Sequence, residues 1–345
     1  MGVETERLVM DVLTNRYNNS RTGSLMGEET LTSTSISSES FGRLFVLAVD
    51  GAVYAQPLYL QGLAIGGKTR NVIFAATMHN SLYAFDADDG GPPLWHINLG
   101  QSFPTSGPNE VDYSGLWQYS GAQQDPSQDG GRPGEIGILS TPAIDRNKGQ
   151  IYVVAYILDP GGDPSVYSRN NKASFFIHSI ELQSGRILAR SKIAATSPGW
   201  VKGQPRAIQF DSTTLNQRPG LLIANSRVYT GFASLYGDQR GYHGWVLGFT
   251  QENLALECAF TAAPDTDDIS AQGVGKWQAG HGIASDNQGN LYVLTGNGKI
   301  SPGRNYPISV LKLTYDLHLA DWFTPYNLSD LNQADEDLGS PPDLC

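Results

Sequence analysis

Six histidines are spread along the 345-residue chain: His79, His96, His178, His243, His281 and His318. His96, His178 and His318 lie within or beside strand-like runs and read as packed or surface residues. His79, His243 and His281 fall at strand ends, beside loops that also carry Trp117, Tyr119, Glu135, Trp200, Arg206, Tyr236, Arg240 and Trp277. A His or Glu in an axial cavity can move a proton, and aromatic faces beside a few polar groups suit sugars or small ring compounds. The candidate ligand-binding residues are therefore His79, Trp117, Glu135, Arg206, His243, Trp277 and His281. Large aromatics also fold long loops onto a scaffold, and an arginine on such a loop pairs with a nearby carboxylate. Both readings stand for this set.

The local signatures of other chemistries fail on specific residues. Asp86-Ala87-Asp88-Asp89-Gly90 resembles a calcium loop, but its glycine comes one position early and its twelfth position is Ile97, so the oxygen cage is incomplete. Gly296-Asn297-Gly298-Lys299 lacks the leading glycine of a phosphate loop and is followed by Ile300 where a hydroxyl would hold magnesium. Neither Gly-x-Ser-x-Gly nor His-Glu-x-x-His occurs, and the scattered histidines carry no metal-ligand spacing. No metal site is read. Asp86, Asp145 and Asp286 precede turns and are expected to cap them.

Charge and cysteine usage narrow the partners. The net charge of −11, with no basic stripe, removes the attraction that a nucleic-acid backbone requires. Cys258 and Cys345 make no disulfide framework and no paired-cysteine metal motif. Apolar runs such as Leu44 to Val49 are strand-sized, so no transmembrane segment is expected. The first residues lack a signal-peptide order, which reads as cytoplasmic with secretion as the alternative. In a secreted product Asn18-Asn19-Ser20 and Asn327-Leu328-Ser329 would be sequons.

The elements that must position these residues are short strands in a recurring order. Asn71 to Leu99 holds three strand patterns split by turn residues, and the grammar returns from Gln150 and again from Asn290. Such long-period self-similarity marks stacked sheets, because one unit cannot bury both of its faces alone. Each unit aligns as four strands led by a Pro- or Gly-containing one: Gln56–Leu60, Ser140–Asp145, Pro219–Ile223 and Gly280–Ala284. Small residues and an edge proline are tolerable beside a crowded axis. The expected fold is an all-β propeller of four-stranded antiparallel blades, about four of them, over residues 54–100, 138–193, 219–262 and 280–326. Residues 1–42 form an N-terminal lead-in segment, 43–326 the propeller, and 327–345 a tail or the start of a further blade. Arg43 to Val49 is left over as an apolar strand expected to complete a sheet, beside the last blade or in a second subunit. The ring is either incomplete or closed by a partner, with a homo-oligomer as one solution.

Loop lengths point to a face. First-to-second and third-to-fourth strand turns are short, as at Asp145–Gly149 and Asp286–Asn290. The connections at 100–138, 158–173, 194–218, 263–279 and 297–307 are long and emerge on the opposite face, where a site is expected. His281, Trp277, Glu135 and Arg206 could share one pocket there.

Ser81-Leu82-Tyr83-Ala84-Phe85-Asp86-Ala87-Asp88-Asp89-Gly90 followed by Trp95 resembles the pyrroloquinoline quinone (PQQ) repeat. Asn15 to Gly23 with Thr30-Leu31-Thr32, Glu135 to Pro142, and Asp321 to Asn327 resemble segments of one uncharacterised branch of the quinoprotein alcohol dehydrogenase-like superfamily. The resemblance covers most of the chain and implies a propeller, which in that family usually continues through further blades. The repeat itself concerns blade packing. Quinone-dependent members commonly set a vicinal cysteine disulfide against the cofactor, which this sequence lacks, and no catalytic Asp or calcium-binding Glu and Asn matches by motif. The leading reading is a propeller that binds a small molecule, carbohydrate or protein at its long-loop face, with no cofactor assigned. The alternatives are a PQQ- and calcium-dependent alcohol or sugar dehydrogenase, and a non-redox lyase or cyclase.

Overall fold

The computed structural model describes residues 11–25, 31–32, 34–37, 41–105, 134–164, 171–235, 242–266, 273–275, 281–334, 336 and 338. Four antiparallel sheets follow one another along the chain, each with its strands hydrogen-bonded in sequence order. Blade 1 comprises Leu58–Ile65, Lys68–Ala76, Ser81–Asp86 and Trp95–Asn98. Blade 2 comprises Ala143–Asp145, Gln150–Leu158, Ala173–Glu181 and Ile187–Lys192. Blade 3 is Leu222–Ala224, Arg227–Ser234, Trp245–Thr250 and Leu256–Thr261, with the short strand Leu215–Asn216 added beside Arg227–Ser234. Blade 4 is Ala284–Ser285, Leu291–Leu294, Val310–Leu313 and Leu319–Phe323. These are β-propeller blades, at the positions the repeat grammar indicates. A helix, Leu328–Ala334, follows blade 4.

The first strands of the blades meet one another, as strands nearest a propeller axis should. Gly220 pairs with Gly282, Leu221 N–H donates to Thr141 O (3.0 Å), and Gln56 N–H donates to Thr141 Oγ1 (3.0 Å). The N-terminal segment crosses all four of them in order. Val12 bridges Tyr59 of blade 1, Leu13 O accepts from Ile144 N–H of blade 2, and Asn19 Nδ2 donates to Ile223 O of blade 3. Asn19 O then accepts from Ser285 N–H of blade 4.

Apolar cores lie between neighbouring blades. Phe74 and Leu82 pack with Ile151 and Val153 between blades 1 and 2; Tyr156 and Phe175 pack with Phe232 and Trp245 between blades 2 and 3; Tyr229 and Val246 pack with Leu291 and Leu311 between blades 3 and 4. Each such side chain contributes about 1.5–3 kcal/mol on burial. The burial pattern follows position in the row. Gln150–Leu158 is buried on both faces after its first residue, whereas Leu291–Leu294 and Val310–Leu313 alternate, because among the described residues blade 4 is covered on one face only.

The repeat tryptophan is a staple between blades. Trp95 Nε1 donates to Leu182 O of blade 2 (2.8 Å), and its ring sits so close to Gly185 that an added Cβ there would lie 2.7 Å from it. Asp86, Asp145 and Asp286 do cap turns, accepting from the N–H groups of Asp88, Lys148 and Gln288.

Arg43 to Val49, expected to complete a sheet beside the last blade or in a second subunit, pairs with no strand among the described residues and does not lie in the sheet of the last blade. Its apolar run is held against blade 1 by side chains: a Cβ on Gly90 would lie 2.7 Å from Phe45 Cβ. Among the described residues, no helix is long and apolar enough to cross a membrane.

Candidate functional site

Two distant candidates meet on the long-loop face. His79 stands in the connection from the second to the third strand of blade 1, and Glu135 stands in the short strand Glu135–Ile136, which pairs with Phe103–Pro104 in the passage from blade 1 to blade 2. His79 Nδ1 lies 2.8 Å from Glu135 Oε2 and 3.0 Å from Oε1. A carboxylate can only accept, so Nδ1 carries the proton and Nε2 is the nitrogen left to a ligand. Ser102 donates its hydroxyl proton to Glu135 Oε2, which fixes the carboxylate from the other side. The His79 side chain is 44% exposed and that of Glu135 is 22% exposed, so the pair is reachable from solvent.

The backbone around His79 is tightly specified. Asn98 Nδ2 donates to His79 O (2.7 Å), and His79 N–H donates to Thr77 Oγ1 (3.2 Å). Thr77 in turn donates to Asp50 Oδ1 (2.9 Å), while Ser81 donates to Asp50 Oδ2 (2.6 Å). Gly51 presses against the site with φ of +61°; a Cβ there would sit 3.0 Å from His79 Cβ and 3.3 Å from Glu135 Oε1. Only glycine adopts that conformation in that space without strain.

The other candidates have different surroundings. His281, at the head of blade 4, places Nε2 3.0 Å from Arg16 Nη2, and burial followed by the Arg16 charge pushes its pKa down, so the neutral imidazole accepts from the guanidinium. His243 Nδ1 donates to Ala263 O (3.0 Å), and burial lowers its pKa. Arg206 is exposed on the turn near Gln204–Pro205, its backbone N–H donating to Gly199 O (2.8 Å). Among the described residues, no hydrogen bond or ion pair joins Glu135 to His281, His243 or Arg206. Trp117 and Trp277 lie outside the described residues, as do Tyr119, Tyr236 and Arg240. Trp200 carries the Arg304 guanidinium over its ring at 4.7 Å, and Arg304 pairs with Asp265 (3.4 Å), the loop-folding role open to such residues.

Of the remaining histidines, His178 is fully buried and His96 stacks on Tyr83 with ring centroids 4.2 Å apart. His318 is exposed beside Asp316 (3.0 Å). Sequence reasoning missed Ser102, Asp50, Gly51 and Arg16. Asp50-Gly51 carries a turn signal. Ser102 and Arg16 carry no signal, because Ser102 meets Glu135 only through the folding of one long connection and Arg16 meets His281 on another blade.

The fold is a β-propeller of four-stranded antiparallel blades. It is similar to a quinohemoprotein alcohol dehydrogenase from Comamonas testosteroni, at 13% identity and a TM-score of 0.50 over 91% of this chain and 41% of that one. It also matches the quinohemoprotein alcohol dehydrogenase ADHIIG from Pseudomonas putida HK5 (15% identity, TM-score 0.48, 81% of this chain and 35% of that one). A europium-containing methanol dehydrogenase matches at 12% identity and a TM-score of 0.47 over 82% of this chain and 44% of that one. The chain spans less than half the length of each. No known family profile matches the sequence, and no curated protein matches it.

Cys258, the cysteine described, is half-buried on the outermost strand of blade 3, where burial pushes its thiol up to about 11, and no cysteine adjoins it in sequence. Among the described residues no three His, Cys, Asp or Glu side chains converge as metal donors.

Proposed function

We propose that this chain binds a small hydroxylated molecule, a carbohydrate or a phenol, on its long-loop face at His79 and Glu135. The observation that carries the reading is the pair itself: a half-exposed imidazole whose Nδ1 is committed to a carboxylate 2.8 Å away, which leaves Nε2 to accept a hydroxyl proton. Ser102 and Gly51 support it, because one holds the carboxylate and the other leaves the space that the pair occupies. The same arrangement is that of a general base with its orienting acid, so a bound hydroxyl would be polarised as well as held. A lyase or cyclase reaction belongs to this reading as its catalytic form.

The test is a calorimetric screen of sugars, phenols and quinones against the 345-residue chain, repeated with His79→Ala. A ligand whose affinity falls at least tenfold in the variant, at unchanged melting temperature, supports the proposal. Stoichiometric uptake of PQQ with calcium, accompanied by dye-linked alcohol oxidation, would replace it with the dehydrogenase reading.

A further inference from the structure

His79 stands at the tip of a tight turn. Thr77 N–H donates to Ser81 O (2.9 Å), which closes Met78, His79 and Asn80 between the second and third strands of blade 1, with Asn80 in the left-handed region at φ of +59°. The two stem residues, Thr77 and Ser81, are fully buried, so their hydroxyls need partners inside the protein. Both find the same one. Thr77 donates to Asp50 Oδ1 (2.9 Å) and Ser81 donates to Asp50 Oδ2 (2.6 Å), while His96 Nε2 stays 4.0 Å from Oδ2, outside hydrogen-bond reach.

A carboxylate can only accept, and this fixes the direction of the bonds beyond it. Each hydroxyl has one proton and gives it to Asp50, so its lone pairs are what it offers the turn. Thr77 Oγ1 accepts from His79 N–H (3.2 Å), and Ser81 Oγ accepts from Asn98 Nδ2 (3.2 Å). Asn98 Nδ2 donates to His79 O as well (2.7 Å), and Asn98 Oδ1 accepts from Gly100 N–H (3.0 Å), which orients the amide. The bonds close a ring that runs from Asp50 through Thr77, His79, Asn98 and Ser81 back to Asp50, and within it both the N–H and the C=O of His79 are held. Gly51, the next residue, forms the wall of the site, where a Cβ would come 3.0 Å from His79 Cβ and 3.3 Å from Glu135 Oε1. One carboxylate thus anchors both the peptide that carries the imidazole and the backbone that packs against it.

We propose that Asp50 is a positioning residue for the His79 and Glu135 pair, acting through Thr77 and Ser81 to set where Nε2 points; this rests on the reading of that pair as the binding site. Among the described residues no hydrogen bond joins Asp50 to the His79 ring or to Glu135, so its action is indirect. Without the carboxylate both hydroxyls are free to turn, the His79 peptide loses its fixed seat, and the 2.8 Å bond from Nδ1 to Glu135 Oε2 weakens. The imidazole proton is then shared between the two ring nitrogens, and Nε2 is no longer a dedicated acceptor.

The tautomer of His79 is the readout, and it needs no ligand. Nitrogen-15 NMR of the full chain at about pH 8, above the ordinary imidazole range, separates a protonated ring nitrogen from an unprotonated one, with the His79 signals identified by their loss in His79→Gln. The unaltered protein should show Nδ1 protonated and Nε2 not. Asp50→Asn and Thr77→Val, each checked as folded by circular dichroism, should move both signals toward each other, whereas Thr77→Ser, which keeps the hydroxyl, should leave them in place. The double variant should move them no further than Asp50→Asn alone, since the two changes break one relay. Native signals in both folded single variants overturn the proposal, as does a Thr77→Ser protein that shifts as far as Thr77→Val. A screen that finds no ligand, with these shifts present, removes the binding reading and leaves the positioning role intact; an unaltered His79 that lacks the Nδ1–H tautomer overturns both.

Discussion

Arg21 Nε donates to Ile283 O at 3.0 Å across 262 positions of sequence. The same guanidinium donates to Leu221 O (2.9 Å), Asn15 O (2.8 Å) and Thr14 Oγ1 (2.6 Å), so one buried side chain ties the N-terminal segment to blades 3 and 4. Each of these acceptors is uncharged, and burial lowers the pKa of Arg21 to about 10, still protonated at neutral pH. Gly282 gives it room: a Cβ there would sit 3.0 Å from Nε.

Arg21→Met should therefore destabilise the fold by about 2–4 kcal/mol, as loss of charge-assisted hydrogen bonds to buried carbonyls does. Urea unfolding checks it. Limited proteolysis should cut the 11–25 region first in the variant, and a midpoint equal to that of the unaltered protein would show that the segment is held by other contacts.

Glu135→Gln should weaken ligand binding at His79 by about ten- to a hundredfold, the effect of about 1.5–3 kcal/mol expected for a hydrogen bond to a charged group. The amide keeps the shape but can offer its N–H to Nδ1, turning the imidazole to the other tautomer. Nε2 then becomes a donor. Isothermal titration with the ligand found by screening, beside a melting curve that barely moves, separates this from a packing effect.

Gly51→Ala should cost about 1 kcal/mol or more in stability, since alanine is strained at φ of +61° and its Cβ would lie 3.0 Å from that of His79. Binding should fall as well, because any relief moves His79 or Glu135. A melting temperature equal to that of the unaltered protein would remove Gly51 from the account.

The pH dependence of stability should carry a histidine signature. Burial, followed by the Arg190 charge, lowers the His178 pKa from 6.5 to about 4, and burial also lowers those of His243 and His281. The unfolded chain then takes up protons more readily than the folded one. The stability contribution is complete above pH 6.5 and is lost as pH falls toward 4. For His178 the shift corresponds to roughly 3 kcal/mol at about 1.4 kcal/mol per unit. His178→Phe should flatten chemical-denaturation stability across that window, and an unflattened profile would assign the dependence to other groups.

The blades were legible in the sequence because strand and turn chemistry is local. Gln150–Leu158 and Arg227–Ser234 announce themselves through β-branched and aromatic runs, and Asp86, Asp145 and Asp286 through the turns they cap. Four repeats of that grammar, with short turns on one side and long connections on the other, determined a propeller and a favoured face. Tertiary structure decided the rest, because it depends on what stands beside each element. The pairing of His79 with Glu135 needs two connections to converge, and the use of His281 as a partner for Arg16 needs the N-terminal segment to cross all four blades. Arg43 to Val49 shows the limit most clearly: its residues specify a strand, but a strand hydrogen-bonds only where a neighbouring edge is supplied.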